Sequence, residues 1–194
     1  MCQPSSRPTR NSAARNGFLT LLALLLLPNA DLSAATLTFG IEGAECTACF
    51  YSVSGSVREL AGIKEIEDVT GLGTKARITF DESTTSAHRI AHAVWRAFPL
   101  HSSPYRAFLS IRIPDYSHAD NTAKVDKVLA RWKEWLEAEV VDSKKGIITL
   151  RFHPLAKAEL QKRAPGWRHS ELIQALNAPS PAGLNLRVTF LTED

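Results

Sequence analysis

The sequence predicts an α+β fold assembled from split βαβ units, and three observations carry that prediction. Short stretches with apolar residues at every second position alternate with stretches whose apolar residues recur at spacings of three and four. Up to residue 113 they follow the order β-α-β-β-α-β, the ferredoxin-like arrangement of four antiparallel strands with two helices on one face. The same grammar then returns at a longer stride, which reads as a tandem duplication.

Leu37, Phe39 and Ile41 alternate as a first strand, and Val53, Val57 and Leu60 share one face of a helix. Gly62 punctuates, Ile63 to Val69 reads as a strand, and Gly71-Leu72-Gly73 as a hairpin turn. Ala76, Ile78 and Phe80 form the next strand, ending at Asp81. Ser83 to Ser86 offer a cap for a helix carrying Ile90, Ala93, Val94 and Ala97, which Pro99 closes. After a loop to Pro104, Ala107 to Ile113 is a strand that either finishes the first unit or opens the second.

In the second half Val125, Val128, Leu129, Trp132 and Leu136 predict one helical stripe. Glu139 to Val141 and Ile148-Leu150-Phe152 predict strands around a Lys144-Lys145-Gly146 turn. A short helix capped by Ser170 carries Leu172, Ile173 and Leu176, and Leu184-Leu186-Val188-Phe190 predicts a last strand. Two complete units need eight strands and seven are visible, so the expected junction is irregular. The expected division is 1–35 as a leader, 36–105 as the first unit and 106–194 as the second.

The leader has the pattern of a secretory signal. Arg7, Arg10 and Arg15 precede an apolar run from Phe18 to Leu27, Pro28 ends it, and Ser33-Ala34-Ala35 supplies small residues for cleavage. The run is about half of the ~20 residues a spanning helix needs. A periplasmic or secreted protein with no membrane span after cleavage is expected. Removing those arginines and Asp31 from the 23 basic and 20 acidic residues leaves 20 against 19. Such a balance gives no reason to expect nucleic acid or an anionic membrane as partner.

Of three cysteines, only Cys46 and Cys49 remain after the leader, so there is no disulfide framework to read. They stand three apart where a strand runs into a helix, a position whose free N–H groups and dipole favour thiolate. The pair therefore reads as soft-metal capture, dithiol redox chemistry or a small local disulfide. Two thiolates satisfy Cu(I) or Hg(II), whereas structural zinc wants four protein ligands and no second cysteine pair exists. A thioredoxin-type redox motif follows an interior strand, which this order fits poorly.

These residues resemble the heavy-metal-associated domain shared by copper chaperones, the N-terminal modules of metal-transporting P-type ATPases and the periplasmic mercury-binding protein. The matching positions are Gly43, Cys46, Cys49, Val53, Leu60, Gly62-Ile63, Ile66, Ala76-Ile78, Asp81, Ile90 and Ala93-Val94, spanning residues 36 to about 98. The resemblance implies a ferredoxin-like carrier, not an enzyme, with Cys46 and Cys49 as ligands. It implies Cu(I) or Hg(II) as cargo, with Zn(II) or Cd(II) as further options. It also implies a metal-transporting membrane protein or another thiol-bearing carrier as partner. Ala44 departs from the family's Met, Glu45 from its frequent Thr or Ser, and Phe98-Pro99 from its Gly-Tyr. The second half resembles the same fold with Pro114 to Asp120 in place of the metal loop, without a thiol.

Two further residues are candidate auxiliaries. Glu45 is either a solvated carboxylate or an oxygen ligand favouring borderline divalent ions. His101 lies in the loop that such a fold brings beside the cysteines, as an ordinary loop histidine or a third ligand. His88 and His92, four apart, have metal-ligand spacing on one helix face but are expected as solvated positions opposite Ile90, and His118, His153 and His169 carry no pattern. Of Trp132 and Trp135, one is expected in the core and the other in an exposed patch. The rival readings are an exported dithiol–disulfide oxidoreductase using the same cysteines, and an interaction module whose metal site is incidental.

Overall fold

Burial alternates along Lys75–Asp81, where Ala76, Ile78 and Phe80 are buried and the residues between them are not. This period-two pattern is what a sheet covered on one face imposes. The computed structural model describes residues 34–192 apart from Ser102, Ala119, Arg163 and Ala164. Its elements are β1 (Ala34–Glu42), α1 (Thr47–Arg58), β2 (Ile63–Asp68), β3 (Lys75–Asp81), α2 (Ala87–Arg96), β4 (Arg106–Arg112), α3 (Asn121–Leu129), β5 (Leu136–Asp142), β6 (Ile147–Phe152), α4 (His169–Asn177) and β7 (Thr189–Phe190). The signal expected over 1–35 lies outside the described residues except for Ala34 and Ala35, which open β1. No helix among the described residues is long and apolar enough to cross a membrane.

All seven strands described join one antiparallel sheet in the order β2-β3-β1-β4-β6-β5, with β7 also on β4. The first four, read as β2-β3-β1-β4, make a ferredoxin-like unit. Read as β7-β4-β6-β5, the strands of the second half make another. The junction is a strand used twice: β4 ends the first unit and begins the second. Residues 106–108 pair with β1, while Ile111 and Arg112 pair with β7 and with β6 together. Seven strands therefore complete two units, and the expected division between residues 105 and 106 falls at the first residue of the shared strand.

Side chains tie the units across it. Arg151 on β6 reaches over β4 to Glu42 on β1 at 2.6 Å and also pairs with Glu139 on β5. Glu82, just past β3, pairs with His169 at the start of α4 at 2.9 Å and accepts the Ser170 N–H. Burial alone would raise the Glu82 carboxyl, but His169 and Ser170 outweigh it and hold it below its usual range.

Helix α2 shows the largest departure from expectation. Ser86 caps it by accepting the Arg89 N–H at 3.0 Å. His88 and His92 are not solvated: they are 1% and 7% exposed. The segment between β6 and α4 lies over this side of the helix and is hydrogen-bonded to both rings. His88 Nδ1 accepts the Trp167 N–H at 3.3 Å, so Nε2 carries the proton and donates to the His153 carbonyl at 2.7 Å. His92 Nδ1 accepts the Leu155 N–H at 3.1 Å. Around His88 stand Phe152 and Trp135, with Trp167 edge-on to Phe152 at 5.6 Å. Desolvation pushes His88 down to about 4, and burial with Arg96 and Arg89 also lowers His92.

Three second-half elements differ from their sequence patterns. The stripe expected from Val125 to Leu136 breaks: α3 ends at Leu129, a 3-10 turn spans Ala130–Trp132, and Leu136 opens β5 opposite Phe152. Leu136 keeps its apolar position by facing the core from a strand. Trp132 and Trp135 are both partly buried against that core, so neither forms an exposed patch. Ser170 lies inside α4, whose N-cap is Arg168. Only Thr189 and Phe190 of the last expected strand pair, because β1 already holds the other half of that edge of β4.

Neutral, buried His88 makes stability depend on pH. Below 6.5 the unfolded chain takes up a proton that the folded chain refuses until about 4, so stability present at pH 7 is lost through that window. The loss amounts to about 3 kcal/mol. His88→Gln should therefore be less stable at pH 7, by about 1–3 kcal/mol, with the gap to wild type closing as pH falls from 6.5 to 4. Urea titrations at pH 7, 5.5 and 4 measure this; a constant gap would contradict it.

Candidate metal centre

Strand β1 delivers the chain to Gly43 and Ala44, and α1 starts at Thr47 with Cys46 as its N-cap. The Cys46 sulfur accepts the Cys49 N–H at 3.2 Å, replacing the usual capping oxygen. A sulfur there feels both a direct N–H and the positive end of a twelve-residue helix, which favours its thiolate once it is reduced. Cys46 and Cys49 are joined as a disulfide with Cα atoms 5.2 Å apart. Cys49 is fully buried and Cys46 half-buried, so one sulfur is anchored in the core and the other faces outward. Helix α1 faces the core with Cys49, Phe50, Val53 and Val57, the i, i+1, i+4, i+8 stripe of an amphipathic helix.

Two other loops close on this turn. The β2–β3 loop is organised by Asp68, whose carboxylate accepts the Thr70, Gly71 and Gly73 N–H groups at 2.9–3.1 Å. Thr47 Oγ donates to the Gly71 carbonyl at 3.3 Å. Gly73 holds φ +77, and a Cβ there would stand 2.8 Å from the Cys46 carbonyl oxygen and 3.0 Å from the Phe50 Cβ. Only glycine lets the hairpin approach so closely.

The third loop follows α2 and carries exposed Phe98, Leu100 and His101. Fully buried Tyr105 accepts the Leu100 N–H on its hydroxyl at 3.1 Å, and Ser52 on α1 donates to the Phe98 carbonyl at 2.7 Å. His101 Nε2 consequently lies 3.5 Å from the Cys46 sulfur. The two sulfurs and an imidazole nitrogen all lie within 4.8 Å of one another. Two sulfurs and a nitrogen suit soft ions, so the donor set fits the expected cargo. Glu45 is exposed and is not part of this group. Ala44 is buried beneath the turn.

From the sequence, Gly73 is expected as a turn residue but not for its approach to Cys46, and no role is expected for Asp68 or Tyr105. The Asp68-Val69-Thr70-Gly71 string is a recognisable Asx-type turn signal. Nothing local marks Tyr105, whose role arises from a contact five residues back.

No protein-family model matches the chain. The mercuric transport protein periplasmic component of Pseudomonas aeruginosa is 33% identical to it over 58 residues, which are 30% of this chain and 63% of that relative. The match spans less than two thirds of the relative's own length. Among solved structures, oxidized MerP from Ralstonia metallidurans is 25% identical, covering 39% of this chain and 97% of that one with a TM-score of 0.32. The water-soluble region of the P-type ATPase CopA from Bacillus subtilis is 14% identical, covering 80% and 90% with a TM-score of 0.35.

The hairpin's approach to the cysteine turn can be tested with two glycines. Gly71 has φ +70 but open space around it, whereas a Cβ at Gly73 meets the cysteine loop. Both alanine variants bear backbone strain of roughly 1–3 kcal/mol, and Gly73→Ala should lose more. Only Gly73→Ala should also change the alkylation rate of Cys46 in reduced protein. Identical behaviour of the two variants would remove the hairpin's buttressing role.

Proposed function

We propose that the protein is an exported carrier that holds one thiophilic ion on Cys46 and Cys49 and passes it to a partner's thiolates. The observation that carries this reading is the pair's placement: one half-exposed sulfur at a helix N-terminus, one buried beside it, in a turn braced by two loops. The name of the Pseudomonas aeruginosa relative, a mercuric transport protein of the periplasm, supports soft-metal cargo and an exported setting. Residues 36–105 carry the site in this reading. Residues 106–194 form the second ferredoxin-like unit without a metal motif and brace α2.

Uptake requires the disulfide to open. A dithiol reductant supplies two electrons and two protons, becoming a disulfide as Cys46 and Cys49 become thiols; each then releases its proton on binding the ion. Transfer begins on the exposed side, where an incoming thiolate adds before Cys46 leaves, and Cys49 follows. Exposed Phe98 and Leu100, in the loop beside the turn, offer an apolar rim to a metal-transporting membrane protein or another thiol-bearing carrier. Cu(I) or Hg(II) fits two thiolates best. Zn(II) or Cd(II) would need a further oxygen donor, and Glu45 lies outside the group of three.

The disulfide itself favours a second reading, a dithiol–disulfide oxidoreductase using the same two cysteines. Cys46→Ser and Cys49→Ser distinguish the two. As a carrier, reduced wild type binds one ion by elemental analysis. Each variant then loses more affinity than the roughly 10–100-fold that a missing supporting partner costs, with its circular dichroism unchanged. Wild-type affinity in either variant would sink the carrier. Catalytic turnover of a disulfide substrate, with weak metal binding, would establish the oxidoreductase.

A further inference from the structure

We infer that His101 is a third metal ligand, making the site three-coordinate for Cu(I) while Hg(II) stays on the two thiolates. The inference rests on the carrier reading of Cys46 and Cys49 and names the ion that uses all three donors. Metal–thiolate and metal–imidazole bonds of about 2.0–2.3 Å place the donors of a trigonal site about 3.5–4 Å apart. His101 Nε2 already stands 3.5 Å from the Cys46 sulfur, and all three donor atoms lie within 4.8 Å of one another. The sulfurs need only separate on reduction for an ion to sit between all three.

The imidazole is held there before any ion arrives. Its loop is fixed at one end by Ser52 on the Phe98 carbonyl and at the other by Tyr105 on the Leu100 N–H. The Ser103 N–H returns to the His101 carbonyl at 2.7 Å, so the turn closes on the residue that points at the sulfur. Tyr105 is fully buried and sits at the foot of β4, so the loop is referenced to the sheet. A ligand held in advance loses little entropy on binding.

Chemistry decides which ion gains. Hg(II) is satisfied by two collinear thiolates and draws little from a neutral nitrogen. Cu(I) takes two or three donors and accepts imidazole alongside thiolate. Structural zinc wants a fourth protein ligand in a closed site, and among the described residues the group contains three donors.

The test uses the full chain, reduced and loaded with Cu(I) alone or Hg(II) alone, as wild type, His101→Ala and Cys46→Ser. X-ray absorption of the Cu(I) form should show two sulfurs and one nitrogen in wild type, and two sulfurs alone in His101→Ala. His101→Ala should weaken Cu(I) about tenfold while leaving Hg(II) within about twofold, as loss of a ligand that only one ion uses. Identical copper coordination in wild type and His101→Ala would overturn the inference and leave the two-thiolate carrier standing. Equal weakening of both ions would also overturn it, reducing His101 to a partner of Cys46. If wild type binds neither ion more tightly than Cys46→Ser does, the carrier reading falls and the inference with it.

Discussion

A β-strand has two edges, and in this protein three strands divide those of β4. One edge is taken by β6, from Phe108 to Arg112; the other is shared by β1 at residues 106–108 and by β7 at Ile111 and Arg112. The sharing limits how each neighbour can be built. β7 pairs through two residues because β1 occupies the rest of the edge, and β1 pairs with β4 only over Gly40–Glu42. Cutting the chain before β4 would leave the first unit without its last strand, and cutting it after β4 would leave the second without a central one. The core is accordingly continuous, running from Val53 on α1 through Ile90 on α2 to Leu172 on α4. A domain boundary is a place where few contacts cross, and here the strand at the boundary is paired with β1 of the first unit and with β6 and β7 of the second.

The fused sheet also changes what α2 has to bear. In a single split βαβ unit the outer side of a helix faces water, and polar residues there cost nothing. The chain between β6 and α4 returns across α2, and its backbone groups need partners once water is excluded. His88 and His92 supply them, one ring bridging an N–H and a carbonyl, the other accepting an N–H. Neutral imidazole is well suited because it offers a donor and an acceptor on one rigid ring. The histidines thus act as polar fasteners between the halves. Since α2 leads directly into the loop bearing His101, the second half constrains one wall of the candidate metal centre without contributing a donor.

The centre itself depends on an asymmetry between two cysteines of similar sequence context. Cys49 is on the buried stripe of α1, while Cys46 stands outside the helix at its cap. Burial protects the first from exchange and exposure opens the second to it. The bracing loops keep this difference: Gly73 seats the hairpin against the Cys46 carbonyl, and Tyr105 sets the height of the loop with His101. A helix cap is normally an oxygen, which binds the N–H and does nothing more. With sulfur in that position, the capping hydrogen bond favours the thiolate, so local helix stability and ligand reactivity are coupled at one atom.

What could be read from the chain alone follows from the range of the physics involved. Cys46 and Cys49, the alternation of Ala76, Ile78 and Phe80, and the stripe of Val53 and Val57 are local patterns, and each falls where the pattern puts it. His101 came within reach because the fold class dictates which loops share an end of the sheet. The failures are all of longer range. His88 and His92 look solvated by spacing from Ile90, since nothing within α2 announces that His153, Leu155 and Trp167 will hydrogen-bond to them. Leu136 fits a helical stripe and a strand alternation equally well, and its pairing with Phe152 chooses the strand. The missing eighth strand is the same lesson in topology. A count of strands assumes that each is used once, and only the pairing of Phe108 with both Gly40 and Arg151 shows that β4 is used twice.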